Sequence, residues 1–402
     1  MRQTALIRKK RVLNLFRSFM ALLPLLISAC SMQSVTIDES YANKETKLQL
    51  NKVTYKSLSG WVADNHTAAL KAFLKSCKKP IVLPSSIKST KLKTSLEIKN
   101  WKKACKVGKK VKLPSKIEAQ YFFETNFTPY LVSNNSSSIG LFTGYYEPEL
   151  RGSWQPNSEF RFPIYRKPND LVYVDLGKFK NELSGTHLIG RREQNKILPY
   201  YTRAQINKGA LKGKQLELLW VDSAIQSFFL HIQGSGRIVL KDGSIVRIGF
   251  AGRNGHRYTP IGRELVAMKV LEPGKVSLQS IQAWLINNPL AGLKLMEKNK
   301  AYIFFHILDG MGPVGSQGVV LTPGRSIAID RKFLPLGLPV WLETTEPTKA
   351  KKPLRRLVVA QDTGSAIKGP VRGDLFFGHG NKAGLFAGRM QQKGKYYLLI
   401  PK

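Results

Sequence analysis

Gly369-Pro370-Val371-Arg372-Gly373-Asp374-Leu375-Phe376-Phe377-Gly378 is the stretch on which the reading of this chain turns. It sets an aspartate inside an apolar run, among glycines that permit turns and close backbone approach. The pattern precedes itself twice. Arg325-Ser326-Ile327-Ala328-Ile329-Asp330 ends on Asp330 and continues into Phe333-Leu334-Pro335-Leu336-Gly337, and Ala360-Gln361-Asp362-Thr363-Gly364 carries Asp362. Short apolar runs broken by Gly and Pro read as strands joined by turns. Carboxylates at strand ends suit proton transfer, because partial burial against Phe376 and Phe377 holds one of them protonated near neutral pH. The plainer reading of any single Asp beside Gly is a turn residue that satisfies backbone donors.

Outward from these runs, the texture from Gly140 onward is that of short strands, as at Phe160 to Tyr165, Gly236 to Leu240, Ser244 to Ile248, Val340 to Leu342 and Leu357 to Ala360. Two helices interrupt it. Thr259-Pro260 opens one that runs to about Leu271 before Pro273-Gly274, and Ser277 caps another that buries Ile281, Trp284 and Leu285 and ends at Asn288-Pro289. Thr344 to Arg356, with two prolines and several lysines, reads as an exposed loop. Leu48 to Lys116 is lysine-rich, with Trp61, Ala69, Leu70, Phe73 and Leu74 at helical spacing.

The chain has 402 residues, 43% of them hydrophobic, with 64 Lys and Arg against 26 acids, a net charge of +38. That is a globular composition with a field that draws polyanions. Arg2, Arg8, Lys9, Lys10 and Arg11 precede an apolar run from Phe19 to Ile27, the two regions of a secretory signal. Leu26-Ile27-Ser28-Ala29-Cys30 resembles a bacterial lipobox, which makes Cys30 the expected lipidation site and Ser31 a residue compatible with outer-membrane sorting. Residues 1–29 are then a lipoprotein signal peptide and 30–47 a polar tether. Cys77 and Cys105 remain, and an oxidising compartment allows a disulfide while leaving two free thiols open. No metal-ligand spacing of Cys or His occurs, so neither metal nor cofactor is expected.

The three aspartates in these contexts resemble the three-aspartate domain of the lytic murein transglycosylase A family. The likeness extends through Gly312-Pro313-Val314-Gly315-Ser316-Gln317-Gly318 and Tyr396-Tyr397-Leu398-Leu399-Ile400-Pro401. Phe142-Thr143-Gly144-Tyr145-Tyr146-Glu147-Pro148 and Phe229-Leu230-His231-Ile232-Gln233-Gly234-Ser235-Gly236-Arg237 resemble the family's entry into a second domain and its groove-lining segment. The resemblance implies a mainly β fold: a double-psi β-barrel from 48–145 plus 272–402, an inserted β-barrel domain at 146–271, and a substrate groove between them. It implies a peptidoglycan lytic transglycosylase that forms 1,6-anhydro-N-acetylmuramic acid. Asp374 is then the acid and base, Asp362 an ionised neighbour that raises the Asp374 pKa, and Asp330 structural.

Weaker expectations concern binding. Thr143, Tyr145, Gln233 and Ser235 offer hydroxyl and amide groups to sugars, Arg325 and Lys368 offer cations to carboxylates, and Tyr146, Phe376 and Phe377 offer stacking faces or core packing. His231 beside Ile232 is expected to be a core histidine. The expected partners are glycan strands and, through the lipid, the periplasmic face of the outer membrane, with a cell-wall synthesis complex as a further candidate. A non-catalytic peptidoglycan-binding lipoprotein would use the same groove, but both Asp362 and Asp374 are present. Nucleic acid is not expected, because no recognition motif is visible and the signal removes the chain from it. Asp362-Thr363-Gly364 is similar to the aspartic-protease loop, yet the partner tripeptide is missing.

Overall fold

The computed structural model describes residues 46–88, 97–111, 114–310 and 312–402. The signal peptide, Cys30 and the tether up to Glu45 lie outside the described residues. The described chain opens with strand β1 (Leu48–Lys52) and a layer of helices: α1 (His66–Ser76), α2 (Ser85–Lys88), α3 (Ile98–Lys110) and α4 (Lys116–Asn126). Local chemistry starts two of them. The Asn65 side chain accepts from the Ala68 amide, and Ser115 and Glu118 form a capping box. Ala69, Leu70 and Phe73 of α1 meet Trp101 and Ala104 of α3 and Phe122 and Phe123 of α4 in one buried cluster. A disulfide between Cys77 and Cys105, Cα atoms 5.6 Å apart, ties the end of α1 to α3.

Strands β2 (Phe127–Asn134) and β3 (Gly140–Glu147) follow, then a second body. It contains β4 (Glu149–Ser153), β5 (Phe162–Tyr165), β6 (Leu171–Asp175), β7 (His187–Glu193), β8 (Lys196–Pro199), α5 (Arg203–Asn207) and β9 (Glu217–Val221). It continues through α6 (Ala224–Gln233), β10 (Ser235–Val239), β11 (Ile245–Arg253), α7 (Ile261–Ala267), α8 (Leu278–Asn287), α9 (Pro289–Lys298) and β12 (Ile303–Ile307). The chain then forms β13 (Ser326–Ile329), β14 (Pro339–Glu346), β15 (Lys349–Asp362), β16 (Arg372–His379), α10 (Gly380–Arg389) and β17 (Gln391–Pro401). The fold is mainly β with a few helices.

The first sheet has the order β1-β2-β17-β14-β15-β13-β16-β3, and β17 also pairs with β3, which closes six of its strands into a ring. Phe142, Ile327, Val340, Leu342, Val358 and Tyr396 share its inner face at 0% exposure, while Trp341, Leu357 and Val359, equally buried, lie on the opposite face, where Trp341 packs against Trp61. Fully buried side chains of this size each contribute about 1.5–3 kcal/mol by leaving water. The second body holds a six-stranded sheet, β12-β11-β10-β4-β9-β5, and a three-stranded one, β6-β7-β8.

Sequence and structure differ in several places. Thr344 to Arg356 is not a loop: it is the turn end of the β14–β15 hairpin, in which Thr345 faces Pro353. A proline is tolerated there because β15 pairs with β13 only from Val359 onward, so the outer part of the strand has one ladder to serve. The helix opened by Thr259-Pro260 ends at Ala267, short of Leu271, while the Ser277-capped helix runs as read. Beyond it the chain makes α9 and returns as β12 against β11, so the second sheet draws on sequence up to Ile307, later than 271.

The chain enters the second body through a single residue, Pro148, flanked by the end of β3 and the start of β4, and returns between β12 and β13. Buried Glu147 pairs with Arg247 of β11 at 3.2 Å, Tyr146 N donates to Gln233 Oε1 at 3.1 Å, and Arg237 N donates to the Pro148 carbonyl at 2.8 Å. These contacts fix β3 against the second body.

Candidate active site

Three strands of the ring bring the two candidate carboxyls together. Ala328 of β13 is the register partner of Asp362 on β15 at one side and of Asp374 on β16 at the other. Parallel pairing of β16 with β3 then sets Thr143 opposite Asp374 and Tyr145 opposite Phe376. Thr143 and Tyr145 share one face of β3, because side chains alternate along a strand.

Thr143 Oγ1 donates to Asp374 Oδ1 at 2.6 Å and accepts from Arg372 Nη2 at 2.8 Å. The Asp374 carboxyl is pushed up to about 6, chiefly by burial. The Thr143 hydrogen bond and the Arg372 charge oppose that shift, and the negative charge of Asp362 reinforces it as the smallest cause. Asp374 is thus a group that exchanges its proton near neutrality.

Asp362 is saturated with donors. Oδ1 accepts from Ser316 N at 2.8 Å, Ser316 Oγ at 2.9 Å and Thr363 N at 2.9 Å, and Oδ2 accepts from Tyr145 Oη at 2.9 Å. Burial raises its carboxyl above the ordinary range, against the opposing pull of these donors. Burial, then the Asp362 charge, push the Tyr145 hydroxyl far above its ordinary range, so it stays a donor. Four donors to one carboxyl and one to the other favour a charged Asp362 beside a protonated Asp374.

The structure places the residues expected from sequence as follows. Thr143 and Tyr145 are engaged with the two carboxyls, and Gln233 Oε1 holds the β3 backbone. Ser235 begins β10 two residues beyond Gln233, half-buried. Arg325 is a correction: it forms a buried two-pronged pair with Asp64 at 2.7 and 2.8 Å and donates to the Leu357 carbonyl, so it cannot reach a ligand carboxylate. Lys368 is exposed on the loop between β15 and β16. Asp330 is 5% exposed, with Oδ1 accepting from Lys332 N at 3.1 Å and Oδ2 from Gly369 N at 2.8 Å, which ties two loops.

Phe376 is buried beneath Tyr145 with ring centroids 5.2 Å apart, Tyr146 packs on Ala383 and Ala387, and Phe377 stacks on Phe386. His231 is buried against Phe305 and Tyr302 and bonded by Arg203 at 3.0 Å; burial, then the Arg203 charge, push its pKa far down, so it is a neutral core histidine. Ser316 and Arg372 were missed as contributors. Ser316 had a signal in its Gly315-Ser316-Gln317-Gly318 turn, whereas Arg372 acts through a register that only the folded sheet reveals.

Comparison with known proteins follows the same outline. The MltA specific insert domain matches residues 141–306, and the 3D domain matches residues 325–400. Membrane-bound lytic murein transglycosylase A of Vibrio cholerae is 33% identical over 265 residues, 64% of this chain and 65% of that protein. The chain therefore aligns with somewhat less than two thirds of the length of the curated relatives it matches. The crystal structure of membrane-bound lytic murein transglycosylase from Agrobacterium tumefaciens is 33% identical, with a TM-score of 0.78 over 88% of this chain and 98% of that one. That of MltA from Neisseria gonorrhoeae is 36% identical, with a TM-score of 0.73 over 88% and 93%. Two family domains in order, these identities and the shared fold together show that the chain belongs to the membrane-bound lytic murein transglycosylase A family.

Proposed function

We propose that this chain is a lytic transglycosylase that cleaves the β-1,4 bond between N-acetylmuramic acid and N-acetylglucosamine in peptidoglycan and closes a 1,6-anhydro ring on the muramic acid. The observation that carries this reading is the unequal carboxyl pair: Asp374, pushed up to about 6, beside Asp362 with its four donors. Hydrolytic glycosidases use two carboxyls as acid and as base or nucleophile. One suffices here, because the substrate supplies its own nucleophile. Protonated Asp374 gives its proton to the bridging oxygen as the bond to C1 of the muramic acid breaks, leaving an oxocarbenium-like centre. The resulting carboxylate then takes the proton of the C6 hydroxyl as O6 bonds to C1. No water is consumed. Because Thr143 occupies Oδ1, the proton in transit is carried on Oδ2. Ionised Asp362 stabilises the developing positive charge.

The rest of the reading supports an envelope enzyme. Residues 1–29 direct export, Cys30 carries the lipid, and the following residues up to 47 tether the body to the periplasmic face of the outer membrane. The closed six-strand ring, with its parallel pairs β13–β15 and β16–β3, fits a double-psi barrel, and the second body is the insert, with the glycan strand lying between them. Mass spectrometry of fragments released from purified sacculi tests the reading: 1,6-anhydro ends are expected, and ordinary reducing ends, heavier by one water, would refute it. Chitohexaose, bound in a crystal structure of Escherichia coli MltA, is a suitable soluble probe of glycan binding.

A further inference from the structure

Asp362 emerges from an irregular strand end. Ile327 of β13 faces Ala360 of β15, and the next residue, Ala328, faces Asp362, so Gln361 is an extra residue in the ladder, a β-bulge. Bulges beside sites re-aim the side chains that follow them. This one is anchored by the bulged residue itself. Gln361 is 0% exposed; its Nε2 donates to the Ala72 carbonyl and to Ser76 Oγ, each at 2.8 Å, and its Oε1 accepts from Ser326 Oγ at 2.6 Å. Both amide hydrogens are used, so an apolar replacement would take one buried hydrogen-bond partner from each of three groups, the Ala72 carbonyl and the Ser76 and Ser326 hydroxyls.

The same anchor holds the loop that clasps Asp362. Ser76 Oγ donates to Gln317 Oε1 at 2.7 Å, and Gln317 N donates to the Gln361 carbonyl at 3.1 Å. Its neighbour Ser316 gives Asp362 an amide and a hydroxyl. On the other side of Ser76 stands Cys77, bonded to Cys105 of α3. One buried residue therefore joins α1 and the start of β13 through its carboxamide, and the 315–318 turn through its backbone carbonyl and Ser76, directly before Asp362.

We propose that Gln361 is a positioning residue for Asp362, acting through the bulge, and that the Cys77–Cys105 disulfide holds Ser76, the far end of the anchor, in place. The inference rests on the reading of Asp362 and Asp374 as the working pair. Gln361→Leu, Ser76→Ala and Cys77→Ser/Cys105→Ser in the full chain test it, with turnover on purified sacculi and the ¹³C titration of the Asp362 carboxyl as readouts. Small misplacements of working groups cost up to about 100-fold, so kcat should fall about 10- to 100-fold in Gln361→Leu with KM within about twofold. The other two should fall less, and the Asp362 titration should move in all three. If Gln361→Leu does not fold, Ser76→Ala and the cysteine pair carry the same expectation. Folded variants that keep wild-type kcat and an unmoved Asp362 titration would overturn the proposal. If the unmodified protein cleaves no glycan, the lytic reading fails separately, and the carboxyl titration still decides whether Gln361 governs Asp362.

Discussion

Thr143 Oγ1 lies 2.6 Å from Asp374 Oδ1 and donates to it, although the two residues are 231 positions apart in the chain. The hydroxyl in turn accepts from Arg372, so a cation acts on the carboxyl through one intervening oxygen. This hydrogen bond and the Arg372 charge both favour the ionised carboxyl and so oppose the upward push of burial. Thr143→Val removes the donor and loosens Arg372. The Asp374 pKa should rise further, and since activity is lost as pH climbs through that pKa, the alkaline limb of the pH–rate profile should move to higher pH. Turnover should fall modestly, because the carboxyl loses its fixed orientation.

Asp362→Asn should do the opposite. Its negative charge raises the Asp374 pKa, so its removal lowers that pKa and moves the alkaline limb to lower pH. Turnover should fall less than in a variant that lacks the Asp374 proton. A pH–rate profile of the two single variants reads both signs in one experiment.

Arg325 should matter for stability and not for ligand binding. Breaking a buried ion pair by removing one partner costs about 3–5 kcal/mol, so Arg325→Gln should lower the melting temperature sharply by leaving Asp64 without its pair. KM for peptide-bearing glycan should be unchanged at temperatures where the variant is folded. A raised KM with unaltered melting would restore the ligand role expected from sequence.

Reduction of the Cys77–Cys105 disulfide opens a loop with a sequence separation of 28. The chain-entropy account gives about 3.5 kcal/mol for a loop of that size. Denaturant unfolding with and without reductant should show a loss of that order, whereas equal midpoints would mean that the helical layer is held by its core alone.

Much of the site was legible because its signals are local. Asp330, Asp362 and Asp374 stand at the ends or in the middle of short apolar runs, the last two close to glycines, and the pattern survives without knowledge of the fold. The partners were not legible. Thr143 meets Asp374, and so receives Arg372, only through the register of a parallel pair, and Arg325 meets Asp64 across 261 residues. The bulge at Gln361 leaves no mark in composition, since a glutamine before an aspartate reads as ordinary strand-end polarity. The β14–β15 hairpin was hidden by its lysines and prolines, which the unpaired edge of its outer half accommodates. α9 was missed because Pro289 was read as the stop of one helix when it is also the first residue of the next.

The central claim is that one carboxyl, Asp374, both gives and takes the proton while the substrate closes on itself. Asp374→Asn keeps the size of the side chain and can still accept from Thr143, so folding and chitohexaose binding should persist. Turnover on purified sacculi should fall about 10²- to 10⁴-fold, the usual cost of losing general acid–base help. The most direct measurement is the mass spectrum of muropeptides released by the unmodified protein and by Asp374→Asn under the same conditions. The account predicts fragments that end in 1,6-anhydro-N-acetylmuramic acid from the former and almost none from the latter. Near-normal release by Asp374→Asn, or reducing ends heavier by one water from the unmodified protein, would contradict it.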